Sequence, residues 1–152
     1  MPGVTPQTGL VTPTTEIIHA NCVTFAVGFG VLIIGPTGSG KSGLALELMS
    51  RGAMLVSDDR TCLFLNDGQV MATCPPAIRG QIEARGVGIL ASETASAASV
   101  RLVVDLGTME VDRLPPMRAV RFLGQSIPLL HNSLSGYFPA MILQYVQGGR
   151  VA

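Results

Sequence analysis

Gly35-Pro36-Thr37-Gly38-Ser39-Gly40-Lys41-Ser42 is an unbroken G-x-x-x-x-G-K-[ST] run, and its residue types suit one kind of chemistry. Glycine-rich backbone lets successive N–H groups converge on phosphate oxygens. The lysine ammonium reaches the β/γ-phosphates of a nucleotide, and the serine hydroxyl holds Mg²⁺. Lys41 is the only lysine of the chain; every other basic residue is arginine, whose planar fork does not replace a phosphate-cradling ammonium.

Such a loop needs a strand before it and a helix after it. Val31-Leu32-Ile33-Ile34 is an apolar, β-branched run that reads as a buried strand. Leu44, Leu46, Leu48 and Met49 lie among strong helix formers, with Gly52 as a natural stop. The helix N-terminus adds its positive dipole end to the phosphate site.

A second group with chemical potential is Val56-Ser57-Asp58-Asp59, at the end of the next short strand, read over Ala53–Val56. A carboxylate at a strand end beside the loop either holds Mg²⁺ or takes a proton from an acceptor hydroxyl. Two adjacent aspartates point to opposite faces of an extended chain, so they are expected to have different roles. A third cluster, Glu83-Ala84-Arg85-Gly86-Val87-Gly88, offers a metal-ligating carboxylate, an arginine and two permissive glycines. His19 lies on a strand that leads to the loop; a lone strand histidine is more often structural than catalytic.

Around these residues the chain reads as a strand-rich α/β domain. Glu16–Val27 reads as a first strand, turned by Gly28-Phe29-Gly30 onto the strand before the loop. Thr61–Leu65 and Gln69–Ala72 form a hairpin about Asn66-Asp67-Gly68. Ala77–Ala84 reads as one or two helical turns, Ser92–Ser99 as a mobile loop and Val100–Leu106 as a strand. Gly107–Pro116 reads as a connection, and Ala119–Leu123 and Ile127–Leu130 as strands. Ser135–Gln147 is a closing helix with Pro139 in its first turn and Met141, Ile142, Tyr145 and Val146 as its apolar face. Helices are too few for each strand to be followed by one.

The 152 residues suit one domain, with 47% hydrophobic and only 13% charged residues. Residues 1–15, rich in Pro, Thr and Gly, read as a flexible lead-in to a catalytic domain over 16–152. That lead-in lacks the basic start and apolar core of a signal peptide. No apolar run is long enough for a membrane span. Zero net charge argues against a nucleic-acid partner. Cys22, Cys62 and Cys74 have no metal-ligand spacing, and the odd count favours reduced, packed thiols in the cytoplasm.

The order Ile18-His19-Ala20, Gly35 to Ser42, Val56-Ser57-Asp58-Asp59 and Glu83-Ala84-Arg85-Gly86-Val87-Gly88-Ile89 resembles the catalytic domain of the HPr kinase/phosphorylase family. The resemblance is to its short alphaproteobacterial form, which lacks the N-terminal domain, and it covers about residues 16 to 147. It implies a single P-loop domain of the HPr kinase and phosphoenolpyruvate carboxykinase type. It also implies an ATP- and Mg²⁺-dependent kinase that phosphorylates a serine of HPr, the small phosphocarrier of the sugar phosphotransferase system. Matched residue by residue, Lys41 binds phosphate, Ser42 and Glu83 hold Mg²⁺, Asp58 is the base on the substrate serine, and His19 is the active-site histidine. Asp59 and Arg85 stand beside them as supporting residues. Full-length members are hexamers, which implies a homo-oligomer.

Two positions depart from the family pattern. Gly43 stands where an acidic residue usually follows the loop serine. Ile127-Pro128 is followed by Leu129-Leu130-His131-Asn132, without the arginine that supports phosphorolysis, so the expectation covers the forward reaction. The motifs by themselves also fit a different P-loop kinase or NTPase, or a nucleotide-sensing module without catalysis.

Overall fold

The computed structural model describes residues 14–26 and 28–152. The lead-in assigned to residues 1–15 falls almost wholly outside these, but its last two residues do not. Strand β1 (Thr15–Phe25) begins at Thr15, and the Thr14 carbonyl already accepts the Leu65 amide. Val27, placed in the first strand by the sequence, lies outside the described residues.

The remaining strands are β2 (Phe29–Ile34), β3 (Met54–Ser57), β4 (Arg60–Asn66), β5 (Gln69–Thr73), β6 (Gln81–Ala84), β7 (Gly88–Ala91), β8 (Ala97–Met109), β9 (Arg118–Phe122) and β10 (Gln125–Asn132). The helices are α1 (Lys41–Met49) and α2 (Phe138–Gly148). The first turn is tighter than Gly28–Gly30: Phe29 and Gly30 already pair with Phe25 and Thr24.

Two long strands organise the molecule. The first half of β1 pairs antiparallel with β4, and its second half pairs with β2 on one edge and β3 on the other. The first residues of β8 pair antiparallel with β5; its middle runs parallel to β2 and its end parallel to β10, which carries β9 at the edge. Strands β1, β4, β5, β8 and β2 therefore close a circuit.

Alternation sorts the side chains of this sheet onto two faces. Val23, Val31, Ile33, Leu102 and Val104 meet Leu44, Ala45 and Leu48 of α1 and Phe138 and Ile142 of α2. The opposite face carries Ala20, Cys22, Leu32 and Val103 against Leu63, Val70 and Ala72. Cys22 is fully buried, and that burial pushes its thiol up to about 12, consistent with a packed, unreactive side chain. Among the described residues no helix is long and apolar enough to cross a membrane.

Three segments differ from their sequence expectation. Gly107–Pro116 is not all connection, because β8 runs on to Met109, which pairs with Asn132. Ala77–Ala84 is helical only at Ala77 and Ile78, and its second half is strand. A 3-10 turn at Pro76–Ile78 ends near Gly80, whose φ of 76° turns the chain into β6. Ser92–Ser99 is not a patternless loop either. Ala95 donates to the Leu55 carbonyl at 2.9 Å, and Ala97, Ala98 and Ser99 pair with Thr73, Ala72 and Met71. β2 passes close by, and Gly30 has no room for a side chain. A Cβ on Gly30 would lie 2.8 Å from the Ser99 carbonyl oxygen and 3.1 Å from the Ala98 Cβ.

The far edge is tied by charge. Arg118 donates from Nε and Nη2 to the two oxygens of Glu110, each at 3.0 Å. That guanidinium, followed by the amides of Asp112 and Val111, holds the Glu110 carboxyl down to about 2, against an ordinary value of 4.5. A depressed carboxylate contributes stability that is present above its unfolded pKa and lost as pH falls through the folded one. Glu110→Gln is expected to lower the urea midpoint at neutral pH. The deficit relative to the parent should shrink below pH 4.5 and close near pH 2. A deficit that stays constant across this range would show that the ion pair is not its cause.

Candidate active site

The loop from Gly35 to Gly40 leaves the end of β2 and opens onto α1. The exit from β2 admits only glycine. Gly35 has φ 148°, and a Cβ there would meet Ser39 Oγ at 2.7 Å. Gly40 caps the helix at φ 99° with no side-chain hydrogen bond, leaving the first helical amides free to face a ligand. Lys41 is buried, on the same stripe of α1 as Leu44, Ala45 and Leu48. Its ammonium donates to the Gly35 and Pro36 carbonyls at 2.9 and 3.1 Å.

A cavity of about 890 Å³ opens over this loop. Its walls include Thr37, Gly38, Gly40, Lys41 and Ser42 from the loop and helix, His19 and Asn21 from β1, Asp58 and Asp59 after β3, and Glu83 and Arg85 from the β6–β7 hairpin. Three separate sequence motifs thus converge on one space. Gly43 also lines it, and a Cβ there would meet nothing within 4 Å.

Asp58 is the best-anchored carboxylate of the site. It is 7% exposed. Its Oδ1 accepts from the Ser42 hydroxyl at 2.8 Å and from Asn21 Nδ2, and its Oδ2 accepts from the Glu83 amide at 3.0 Å. Asp59 serves a different partner, as expected for adjacent aspartates: its Oδ1 lies 2.6 Å from His19 Nε2. Simple alternation does not account for this. Asp59 has φ 69°, and this left-handed bend turns its carboxylate to the cavity as well.

Glu83 reaches the cavity through strand alternation. Ile82 and Ala84 are buried, Ile82 within the helix-side core, so Gln81 and Glu83 face outward and line the cavity. Arg85 follows in the exposed hairpin turn, also on the cavity wall. His19, Asp58, Asp59, Glu83 and Arg85 are thus brought together with Lys41 and Ser42, while Gly35, Pro36 and Ser39 of the loop are not on the cavity wall.

Nothing in the motifs singles out Asn21, which is buried against Ser42, Asp58 and the Asp59 amide. The available signal was its place, two residues after His19 on the same strand face. A rival carboxylate, Asp105, ends the run Leu102-Val103-Val104 on β8 and pairs in register with Ile34. Its Oδ1 instead accepts the Gly107 amide at 2.8 Å, and it is not among the cavity-lining residues. The carboxylate beside Ser42 comes from the end of β3.

A strand, a glycine-rich loop with a buried lysine, a helix and an anchored strand-end carboxylate define a P-loop domain. The family model of the HPr Serine kinase C-terminal domain matches residues 12–119, and the chain belongs to that family. The HPr kinase/phosphorylase of Variovorax paradoxus is 34% identical over 139 residues, covering 83% of this chain and 40% of that protein. The HPr kinase/phosphorylase of Caldanaerobacter subterraneus is 38% identical over 104 residues, 63% of this chain and 34% of that protein. The solved structure of the Hpr(Ser) kinase/phosphatase from Coxiella burnetii aligns with a TM-score of 0.73 at 26% identity, covering 90% of this chain and 91% of that one. The chain thus spans at most 40% of the length of these two curated relatives, but nearly all of the solved one.

Proposed function

We propose that this domain is a protein serine kinase that transfers the γ-phosphoryl group of ATP, with Mg²⁺, to a serine hydroxyl of the phosphocarrier HPr. The observation that carries this reading is Asp58: a buried carboxylate, held 2.8 Å from the loop serine, facing a cavity large enough for a nucleotide.

Phosphoryl transfer asks a protein for positioning and charge neutralisation more than for covalent chemistry. The loop amides and the start of α1 receive the phosphates, and Lys41 moves its ammonium from the Gly35 and Pro36 carbonyls to phosphate oxygens. Asp58 accepts the proton of the incoming serine hydroxyl. His19 is held at the mouth of the cavity by its Nε2 bond to Asp59. Arg85 adds positive charge to the cavity wall.

The donors fit Mg²⁺: a hydroxyl at Ser42 and a carboxylate at Glu83 are hard oxygen ligands, leaving Asp58 as the base. No group of three or more His, Cys, Asp or Glu forms a metal cage among the described residues. At a nucleotide site Mg²⁺ takes most of its ligands from phosphate and water. Bound there, it would neutralise charge on the transferred group.

The reading covers the forward direction. Arg118, paired in register with Leu129 after Ile127-Pro128, is committed to Glu110. Assembly into a homo-oligomer belongs to the same proposal, supported by exposed apolar side chains at Val111, Leu114, Met117, Leu134 and Tyr137.

Incubation of purified HPr with γ-labelled ATP and Mg²⁺ tests the proposal, with the labelled residue located by mass spectrometry. Label on a serine is the expected result. ATP hydrolysis without labelled HPr would assign the domain a different acceptor, and ATP binding without either reaction would make it a sensing module.

A further inference from the structure

We infer that Asn21 is a positioning residue for phosphoryl transfer, sorting the two adjacent aspartates into their separate places; this rests on the kinase reading above. Asn21 is 1% exposed in the middle of β1, opposite Ile33. A buried side-chain amide is tolerated only where its donor and acceptor ends both find partners. Here both ends are used on catalytic-site groups. Nδ2 donates to Asp58 Oδ1, with Ser42 Oγ at 3.4 Å, and Oδ1 accepts the Asp59 amide at 3.1 Å. The reverse amide orientation would set an NH₂ against an N–H and an oxygen against a carboxylate, so the chemistry fixes the orientation.

Both bonds act on geometry. The Asp59 amide is held at the residue whose φ is 69°, the bend that turns the second aspartate toward His19. An extended chain would send consecutive carboxylates to opposite faces. The Nδ2 bond secures Asp58 for the moment when the Ser42 hydroxyl turns away. Asp58 has three side-chain or backbone donors, and Ser42 is one of them. When Ser42 engages a metal ion or phosphate, Asn21 and the Glu83 amide keep the base aimed.

The test compares the parent with Asn21→Leu, which keeps the approximate volume and removes both bonds, and Asn21→Ser, which keeps one polar group too short to span both partners. Transfer to HPr is measured under saturating Mg–ATP, and nucleotide affinity is measured separately by displacement of a fluorescent analogue. Asn21→Leu is expected to lower kcat about 10²-fold, the cost of a reacting group displaced by about 1 Å. Mg–ATP affinity should stay within about threefold, since loss of kcat alone marks a group acting in the transition state. Asn21→Ser should fall between the two, and it decides the matter alone if the leucine variant does not fold.

Transfer by Asn21→Leu within about threefold of the parent would overturn the inference. So would a loss of nucleotide affinity that matches the loss in kcat, which is the behaviour of a merely structural amide. A parent protein that does not label HPr removes the kinase reading and this inference together. An active parent with an active leucine variant removes the inference alone.

Discussion

Asp58→Asn is expected to abolish most phosphoryl transfer while the protein still binds ATP. The substitution is isosteric and leaves Lys41 and the loop untouched. What it removes is proton acceptance, a contribution of about 10²–10⁴-fold for a positioned general base. It also disturbs the anchoring. The carboxylate accepts from Ser42, Asn21 and Glu83. An amide NH₂ in place of one oxygen must face at least one of those donors, which gives a second reason for lost alignment. Rate measurements on labelled HPr, together with nucleotide displacement, separate the effects. Near-parental turnover would take the base role from Asp58 and leave the His19–Asp59 pair as the remaining candidate.

Lys41→Ala is expected to act one step earlier, on nucleotide binding itself. The ammonium is the only lysine charge in the chain, and it already lies against the Gly35 and Pro36 carbonyls at the lip of the loop. On binding, the ammonium exchanges these carbonyls for phosphate oxygens; each hydrogen bond between charged groups contributes about 1.5–3 kcal/mol, so losing two such bonds to phosphate predicts an affinity drop of about 10²-fold. Alanine is the best helix former and keeps α1 intact. The readout is a melting curve with and without Mg–ATP. The parent should gain stability from the ligand by mass action, and the variant should show almost no shift at the same concentration. An undiminished shift would mean that backbone amides alone hold the phosphates.

The strand, loop and helix around Lys41 were legible because each carries a strong local signal: a β-branched run, a glycine-rich motif and a stretch of strong helix formers stopped by Gly52. The Asn66-Asp67-Gly68 hairpin was legible for the same reason, and Asp67 and Gly68 indeed have φ 51° and 75°. Gln81–Ala84 was harder to read. Four residues with two buried fit a strand and a helical turn almost equally, and only the reversal at Gly80 decides between them. Ala97–Ser99 carries poor strand formers and becomes strand through its pairing with Met71–Thr73, so tertiary pairing overrides propensity. The site residues legible from the sequence were those in motifs. Asn21 was not, because its role depends on three partners that the chain delivers from elsewhere.

The pairing of β2 has a consequence for how the protein is made. The loop-bearing strand is flanked by β1, its immediate predecessor, and by β8, where Val31–Ile34 lie beside Leu102–Asp105. Parallel partners so far apart in the sequence raise the contact order and slow folding. During synthesis, a nascent chain that already contains the whole Gly35–Ser42 loop still lacks one wall of its cradle. Competence to bind nucleotide should therefore appear abruptly, after β8 has cleared the ribosome, and not in proportion to the length of chain made.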